Sequence, residues 1–182
     1  GSRFVRSIRK AVSLPIIGIE KSHFDDGSVL ITPRERDVER LVSSGADIVA
    51  LDATARLRPG GLSGPQFIAL LKRRWPELPL IADISTIEEG IAAASAGADA
   101  VATTLSGYTP TTSMHRNSLP DFDLARELVG QLSIPVIVEG RVSKPSQALH
   151  ALRLGAHAVV VGTAITRPRL VTREFVSNMT SP

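Results

Sequence analysis

The 182-residue sequence contains no cysteine, and aromatic residues make up only 4% of it. The lack of cysteine excludes disulfides and thiolate metal sites, and it fits the reducing cytoplasm. No apolar run approaches the roughly 20 residues that a membrane-spanning helix requires, and the first residues lack the layout of a signal peptide. We therefore expect a cytoplasmic protein that has no membrane partner.

Neither sign of charge dominates the sequence strongly. The 21 Lys and Arg residues against 18 Asp and Glu residues give a net charge of +3. Basic stretches such as RSIRK and LKRRW alternate with acidic ones, whereas nucleic-acid binding uses a clustered basic face. The composition argues against a nucleic-acid partner and favours a small anionic ligand.

Six apolar runs recur along the chain and alternate with helical patterns. Each run is short, rich in Val, Ile, Leu and Ala, and lacks polar alternation, as is typical of a parallel strand that is covered on both faces. The runs lie in Leu14–Lys21, Ser44–Ala55, Leu78–Ser85, Ala96–Gly107, Ile134–Arg141 and Leu154–Ile165. This alternation predicts parallel strands joined by right-handed helical crossovers.

Local signals predict where some of the helices begin. The helix in PRERDVERLVSSG is expected to begin after Thr32, with Thr32 as the N-cap and Pro33 at the first helical position. The stretches TPRE and STIE each place a Glu three residues after a Thr or Ser, which is the pattern of a capping box.

Alternating strands and helices form either an open doubly wound sheet or a closed barrel. The sequence has no GxGxxG motif, which a doubly wound nucleotide-binding sheet usually carries after its first strand. Polar residues instead follow every predicted strand, and in a barrel these positions surround one mouth, where catalytic groups lie. We therefore expect an α/β protein with the (β/α)8 TIM-barrel fold.

The predicted strands are fewer than a complete barrel requires. Such a barrel has eight strands and about 250 residues, whereas this sequence offers six strands in 182 residues. We expect one barrel domain over residues 1–182 that is incomplete at its N-terminus and lacks the first two strands. Either the sequence is truncated, or a partner covers the open edges of an incomplete barrel.

Glycine follows both of the last two predicted strands, in VIVEG and VVVGT. In a barrel, the loops after these strands commonly form a phosphate pocket, because glycine lets the backbone approach the anion and N–H groups at a short helix bind it. We predict such a pocket at Gly140, Arg141, Gly162 and Thr163. The alternative is that the glycines only permit tight turns.

Lys21 and Glu139 end the apolar runs PIIGIEK and VIVE. Both side chains are expected to face the mouth, whereas Glu20 points away under strand alternation and is interpreted as structural. A carboxylate in an apolar strand needs a polar partner. Lys21 and Glu139 form either an ion pair or an acid/base couple that takes a proton from carbon and returns one.

Other polar residues near strand ends are candidate substrate contacts. Asp52, Asp83 and Thr104 lie at such ends, and the two Asp residues either orient the couple or hold substrate hydroxyls. Arg167 follows the last run, where its guanidinium suits a carboxylate or a phosphate. The two arginines of DATARLRP are further candidates for anion binding. No metal site is expected, because no metal-ligand spacing connects the histidines, which are His23, His115, His150 and His157.

Seven stretches together resemble the successive motifs of a known family. They are PIIGIEK, ITP, ADIVALDATARLRP, ADISTIEEG, GADAVATTLSGYT, VIVEGRVSKPSQA and GAHAVVVGTAITRP. The sequence is similar along nearly its whole length to the N-acylglucosamine-6-phosphate 2-epimerases, also described as N-acetylmannosamine-6-phosphate 2-epimerases. The combination of TTLSGYT with EGR and GTAITRP is specific to them.

The resemblance implies a (β/α)8 barrel that interconverts N-acetylmannosamine 6-phosphate and N-acetylglucosamine 6-phosphate, in sialic acid and amino-sugar catabolism, without a metal or nucleotide cofactor. By position, Lys21 matches the catalytic lysine of the family and Glu139 its catalytic glutamate. Asp83 and Arg167 match substrate-contacting positions. Dimers are common in the family, so a homodimer is an expectation.

The sequence also departs from the family. Members begin with a strand that carries a Ser/Cys-Gln pair and a second strand that carries an arginine, and neither is present. Two other functions therefore stay open: another phosphate-binding barrel enzyme that forms a Schiff base through Lys21, and an inactive truncated barrel that acts as an interaction partner. The stretch TPTTSMHRNSLPD (Thr109–Asp121) is predicted to be a flexible polar loop.

Overall fold

Eight strands form two sheets in the computed structural model, which describes residues 1–26, 28–115 and 119–180. The strands are β1 (Ile17–Gly18), β2 (Lys21–His23), β3 (Val29–Ile31), β4 (Ile48–Asp52), β5 (Leu80–Asp83), β6 (Ala100–Ala102), β7 (Val136–Glu139) and β8 (Ala158–Val160). The larger sheet has the order β1-β4-β5-β6-β7-β8, and every neighbouring pair in it is parallel. β2 and β3 form a separate antiparallel hairpin.

Helices connect successive strands of the parallel sheet and also lie before its first strand and after its last. The connecting helices are α2 (Glu35–Ser43), α3 (Gly64–Arg74), α4 (Ile87–Ser95), α5 (Phe122–Gln131) and α6 (Pro145–Arg153). Helix α1 (Ser2–Arg9) precedes β1, and α7 (Thr163–Thr166) and α8 (Pro168–Thr180) follow β8. Each of the six predicted runs contains one strand of the sheet, which confirms the α/β fold of the (β/α)-barrel type. Within the described residues, no helix is long and apolar enough to cross a bilayer.

Side chains alternate between the two faces of the sheet, and this alternation determines which face the polar side chains at the strand ends share. Val49, Leu51, Leu80 and Val101 pack with the helices in the main core. The opposite face carries a second apolar cluster, made by Ala50, Ile81, Ala100, Ala102 and Ile137. Because strand side chains alternate with period two, Asp52, Asp83 and Glu139 share this second face, each two residues beyond one of its members.

The apolar run PIIGIEK predicted that Lys21 ends the first strand of the sheet, and this prediction is wrong. That strand is only Ile17–Gly18, and Lys21 begins the hairpin, where it pairs with Ile31. The reason lies in Thr32, whose hydroxyl accepts from the Glu20 backbone N–H at 3.1 Å and donates to the Ala50 carbonyl at 2.7 Å. This bridge ties the base of the hairpin to β4.

The predicted start of α2 is wrong for the same reason. Arg34, not Thr32, is the N-cap of this helix, and it makes no side-chain capping bond, so the TPRE box does not form. Thr32 is completely buried with a φ of 47°, and its hydroxyl is used in the bridge to β4.

The capping box predicted in STIE forms one residue later in the chain. Thr86 is the N-cap of α4 and pairs reciprocally with Glu89. The carboxylate of Glu89 also accepts from the backbone N–H and hydroxyl of Ser85, at 2.7 and 2.8 Å. These additional bonds explain why Glu89 rather than Glu88 closes the box.

Candidate functional site

A large open cavity of about 1660 Å³ lies at the carboxyl ends of the sheet strands. The hairpin forms one part of its wall, and the loops after β6, β7 and β8 together with α8 form the rest. All of the predicted site residues except Asp52 and Asp83 line it, namely Lys21, Thr104, Glu139, Gly140, Arg141, Gly162, Thr163 and Arg167. Residues that are far apart in the sequence therefore share one cavity.

The hairpin carries Lys21 into this cavity. Lys21 is exposed, and two arginines hold the hairpin beside it. Arg34 donates to the Ser22 hydroxyl at 3.0 Å, and Arg56 donates to the Val29 carbonyl at 3.2 Å. The neighbouring Glu20 accepts from the Ser2 backbone N–H at 2.9 Å, a contact that fits its expected structural role.

Asp52 lies behind the cavity wall. Its side chain is buried, and its carboxylate accepts from the backbone N–H and hydroxyl of Thr54, at 3.0 and 2.7 Å, and from the guanidinium of Arg56. Arg56 in turn lines the cavity. The contacts of Asp52 are thus with the protein, and its contact with substrate stays a prediction.

Asp83 is also buried, with 3% of its surface exposed, and it lies directly behind Thr104. The Thr104 hydroxyl donates to Asp83 Oδ1 at 2.8 Å. Burial raises the pKa of Asp83 well above its usual value, and the carboxylates of Glu139 and Asp52 add to this rise against the opposing effects of Thr104 and Lys21. Asp83 is therefore an acid that holds its proton to an unusually high pH.

Glu139 is half-buried and faces the cavity at the end of β7. Burial raises the pKa of its carboxyl, while a side-chain hydrogen bond with Thr104 and the positive charge of Lys21 lower it. The backbone of Glu139 is fixed by Thr103, whose hydroxyl donates to its carbonyl at 2.9 Å and accepts from its N–H at 3.1 Å.

The loop after β7 has a left-handed backbone and an arginine that bonds to a neighbouring loop. Gly140 has a φ of 98° and Arg141 one of 59°, so both are left-handed, a conformation that is costly for a non-glycine residue. The Arg141 guanidinium donates to the carbonyls of Leu119 and Ser106, at 2.6 and 2.7 Å. Two of its donors therefore hold the β6–α5 connection.

The loop after β8 leads directly into the four-residue helix α7. Gly162 is the N-cap of α7 and accepts from the Thr166 hydroxyl at 3.1 Å. A Cβ at Gly162 would meet nothing within 4 Å, so its backbone faces open space. Arg167 follows at the end of α7, exposed to the cavity.

Some residues that line the cavity were not predicted from the sequence. Leu170 and Phe175 of α8 and Tyr108 after β6 also line it, and only amphipathic spacing could have indicated the first two. The predicted loop Thr109–Asp121 is partly packed, because Thr109 and Thr112 are buried and their hydroxyls lie 2.8 Å apart. Residues 116–118 of this loop lie outside the described residues.

Comparison with known proteins identifies the family. Residues 1–181 match the family model described as "Putative N-acetylmannosamine-6-phosphate epimerase". A protein from Caldanaerobacter subterraneus subsp. tengcongensis, named "Putative N-acetylmannosamine-6-phosphate 2-epimerase", is 44% identical over 177 residues, which are 97% of this chain and 74% of that protein. A protein of the same name from Clostridioides difficile is 43% identical over 97% of this chain and 77% of its own length.

Solved structures agree with this assignment. The structure of the N-acetylmannosamine-6-phosphate 2-epimerase from Clostridium perfringens matches with a TM-score of 0.88 and 42% identity, over 97% of this chain and 76% of that chain. A thiamine phosphate pyrophosphorylase from Pyrococcus furiosus matches with a TM-score of 0.60, over 100% of this chain and 80% of its own, but at 18% identity it shows only the fold. By the whole-length family match and these identities, the chain belongs to the N-acetylmannosamine-6-phosphate epimerase family.

Proposed function

We propose that this chain interconverts N-acetylmannosamine 6-phosphate and N-acetylglucosamine 6-phosphate by proton transfer at C2. The observation that carries the proposal is that Lys21, Glu139 and the two glycine loops line one cavity, in a chain of the epimerase family. The relatives described above are named for this activity.

The chemistry follows from the open-chain form of the sugar. C2 bears the N-acetyl group and lies next to the C1 aldehyde, so loss of its proton gives an enolate. Return of a proton to the opposite face inverts C2, which requires one group on each face. We assign these groups to Lys21 and Glu139, whose roles as base and acid exchange between the two directions of the reaction.

The phosphate is proposed to bind at the loops after β7 and β8. Backbone N–H groups at Gly140, Gly162 and Thr163 provide donors, and the open space at Gly162 permits close approach of an anion. Arg141 shares this wall, and the exposed guanidinium of Arg167 supplies positive charge.

Thr104, Asp83 and Asp52 are proposed to support the sugar end of the site. Thr104 lines the cavity and is the substrate contact of the three, while Asp83 acts through the hydroxyl of Thr104. Asp52 holds Arg56, which faces the cavity and supports the hairpin.

The test is hydrogen exchange at C2 in D₂O. With N-acetylmannosamine 6-phosphate, wild-type protein should replace the C2 proton by deuterium and form N-acetylglucosamine 6-phosphate, both of which ¹H NMR measures. Glu139→Gln should abolish exchange, whereas Glu77→Gln, an exposed carboxylate before β5, should exchange like wild type. Retention of the C2 proton by folded wild-type protein would overturn the proposal.

A Schiff base on Lys21 is the alternative enzyme chemistry. Incubation with the same substrate and borohydride would trap such an adduct, and mass spectrometry would locate it. We expect no adduct, because C2 epimerisation needs only proton transfer. Trapping on Lys21 would contradict the assigned mechanism.

We further propose that the reaction serves sialic acid and amino-sugar catabolism in the cytoplasm, and that the chain acts as a homodimer. The cysteine-free sequence fits that compartment. Light scattering of the purified chain measures the oligomeric state directly, and a monomer at assay concentration would refute the dimer.

A further inference from the structure

The hairpin turns one of its two faces to the cavity. The side chains on that face are Lys21, His23, Val29 and Ile31, and all four line the cavity. Because strand side chains alternate, the opposite face, which we call the back face, carries Ser22 and, just beyond the strand, Phe24. The direction of Lys21 therefore depends on what holds the back face.

One guanidinium contacts both side chains of the back face. Arg34 donates to the Ser22 hydroxyl at 3.0 Å, and its Cζ lies 5.2 Å from the centre of the Phe24 ring. The first contact is a hydrogen bond and the second is a cation–π interaction. As far as the structure describes the cavity, none of these three residues lines it. Arg34 therefore acts on the lysine through the hairpin and not through the substrate.

Arg34 is itself held by helix α2, of which it is the N-cap residue. Its Nη1, which bonds to Ser22, also lies 3.9 Å from Oδ2 of Asp37. Only 2% of the surface of Asp37 is exposed, and among the described residues this oxygen has no hydrogen-bond partner. A buried carboxylate needs a compensating charge, which Arg34 supplies. Because Val38 and Leu41 anchor α2 in the main core, the arginine links the hairpin to that core.

Proton transfer at C2 requires the lysine to lie within hydrogen-bond reach of the reacting proton, and a displacement of about 1 Å can slow a reaction about a hundredfold. We propose that Arg34 is a positioning residue for Lys21. It holds the back face of the hairpin through Ser22 and Phe24 and thereby keeps the lysine directed into the cavity. This inference rests on the proposed epimerase function.

The first activity test is Ser22→Ala, which removes the hydroxyl and leaves the contact between Arg34 and Asp37 in place. It should lower kcat for C2 exchange by about threefold to tenfold and leave KM as in wild type, because Ser22 contacts no substrate. Ser22→Thr keeps the hydroxyl and adds a β-branch that strands favour, so it should restore kcat. Ser13→Ala, at an exposed serine before β1, is the matched control and should keep the wild-type kcat.

Arg34→Leu removes both contacts with the back face and should lower kcat by about tenfold or more. In a double-mutant cycle its effect on kcat should be smaller in a Ser22→Ala background, because both changes break the same bond. Arg40→Leu, at an exposed arginine of the same helix, should leave kcat unchanged. If Arg34 were only structural, Arg34→Leu would lower the free energy of unfolding and leave the kcat of the folded protein as in wild type, which would refute the positioning role. Ser22→Ala decides the question if Arg34→Leu does not fold.

Backbone hydrogen exchange needs no activity and separates this inference from the proposed function. Mass spectrometry of peptic peptides follows the hairpin amides, among them the Phe24 N–H, which donates to the Ser28 carbonyl at 3.0 Å. Arg34→Leu should speed exchange in the hairpin by about twofold to tenfold, the effect of losing one hydrogen bond, whereas Arg40→Leu should not. Hairpin exchange at the wild-type rate in Arg34→Leu would overturn the inference. Failure of wild-type protein to exchange the C2 proton would instead overturn the proposed function.

Discussion

Arg56 joins the buried carboxylate of Asp52 to the hairpin that carries the proposed catalytic lysine. One terminal nitrogen of its guanidinium bonds to Asp52, four residues earlier on β4. The other donates to the Val29 carbonyl in the hairpin at 3.2 Å. The position of Lys21 is therefore coupled to the end of β4 through this side chain.

Arg56→Ala should destabilise the protein by about 3 kcal/mol, because removing one partner of a buried ion pair leaves the other uncompensated. It should also slow C2 exchange, since the hairpin loses an anchor. Urea denaturation measures the first effect. In a double-mutant cycle, Arg56→Ala should cost much less in an Asp52→Asn background; additive losses would contradict the coupling.

Lys21→Ala should reduce C2 exchange by about a hundredfold or more, which is typical for loss of a general acid or base. The fold should be retained, because Lys21 is exposed and packs little. NMR exchange measures the first expectation and circular dichroism the second. Lys10→Ala, an exposed lysine after α1, is the control. Wild-type turnover in Lys21→Ala would remove the lysine from the mechanism.

Much of this arrangement could be predicted from local sequence. The apolar runs indicate six parallel strands, and parallel topology alone brings Glu139, Gly140 and Gly162 to one end of a sheet. Strand alternation also predicts which face Glu139 shares with Asp52. The first feature follows from the order of apolar runs and helical patterns along the chain, and the second from the backbone geometry that every strand shares.

Other features depend on contacts between distant residues. Nothing local indicates that the Thr32 hydroxyl bonds to Ala50, and this bond turns Lys21 out of the sheet into a hairpin. Asp52 looks like Glu139 in sequence, since both end apolar strands, yet Arg56 and Thr54 saturate its carboxylate. Burial of a polar strand end is decided by such partners, which the apolar pattern does not encode.

Asp83→Asn should stabilise the protein at neutral pH. In the unfolded chain an aspartate ionises near pH 3.9, whereas burial raises the pKa of Asp83 in the folded state. The contribution of Asp83 to the free energy of unfolding is therefore full below about pH 4 and is lost as the pH rises through its folded pKa. The loss is about 1.4 kcal/mol for each unit by which the folded pKa exceeds the unfolded pKa. A neutral amide avoids this loss.

Urea denaturation of both proteins between pH 4 and pH 8 checks this expectation. The gain of Asp83→Asn over wild type should grow as the pH rises and should vanish near pH 4. Asp25→Asn, at an exposed position of the hairpin turn, is the control for the exchange of a carboxylate for an amide. A gain that does not vary with pH would mean that Asp83 ionises normally in the folded protein.

Thr32→Val should destabilise the protein by about 2 kcal/mol or more. Valine has the shape of threonine and the same β-branch, so the strain of the left-handed backbone at φ 47° is unchanged and only the hydroxyl is lost. The Glu20 N–H and the Ala50 carbonyl then lose a partner in the interior, at about 1–3 kcal/mol for each unsatisfied group. Thr32→Ser keeps both bonds and should cost about 1 kcal/mol, the value of a lost buried methyl. Urea denaturation of the two variants measures the difference, and a valine variant as stable as the serine variant would show that the hydroxyl bridge does not hold the hairpin.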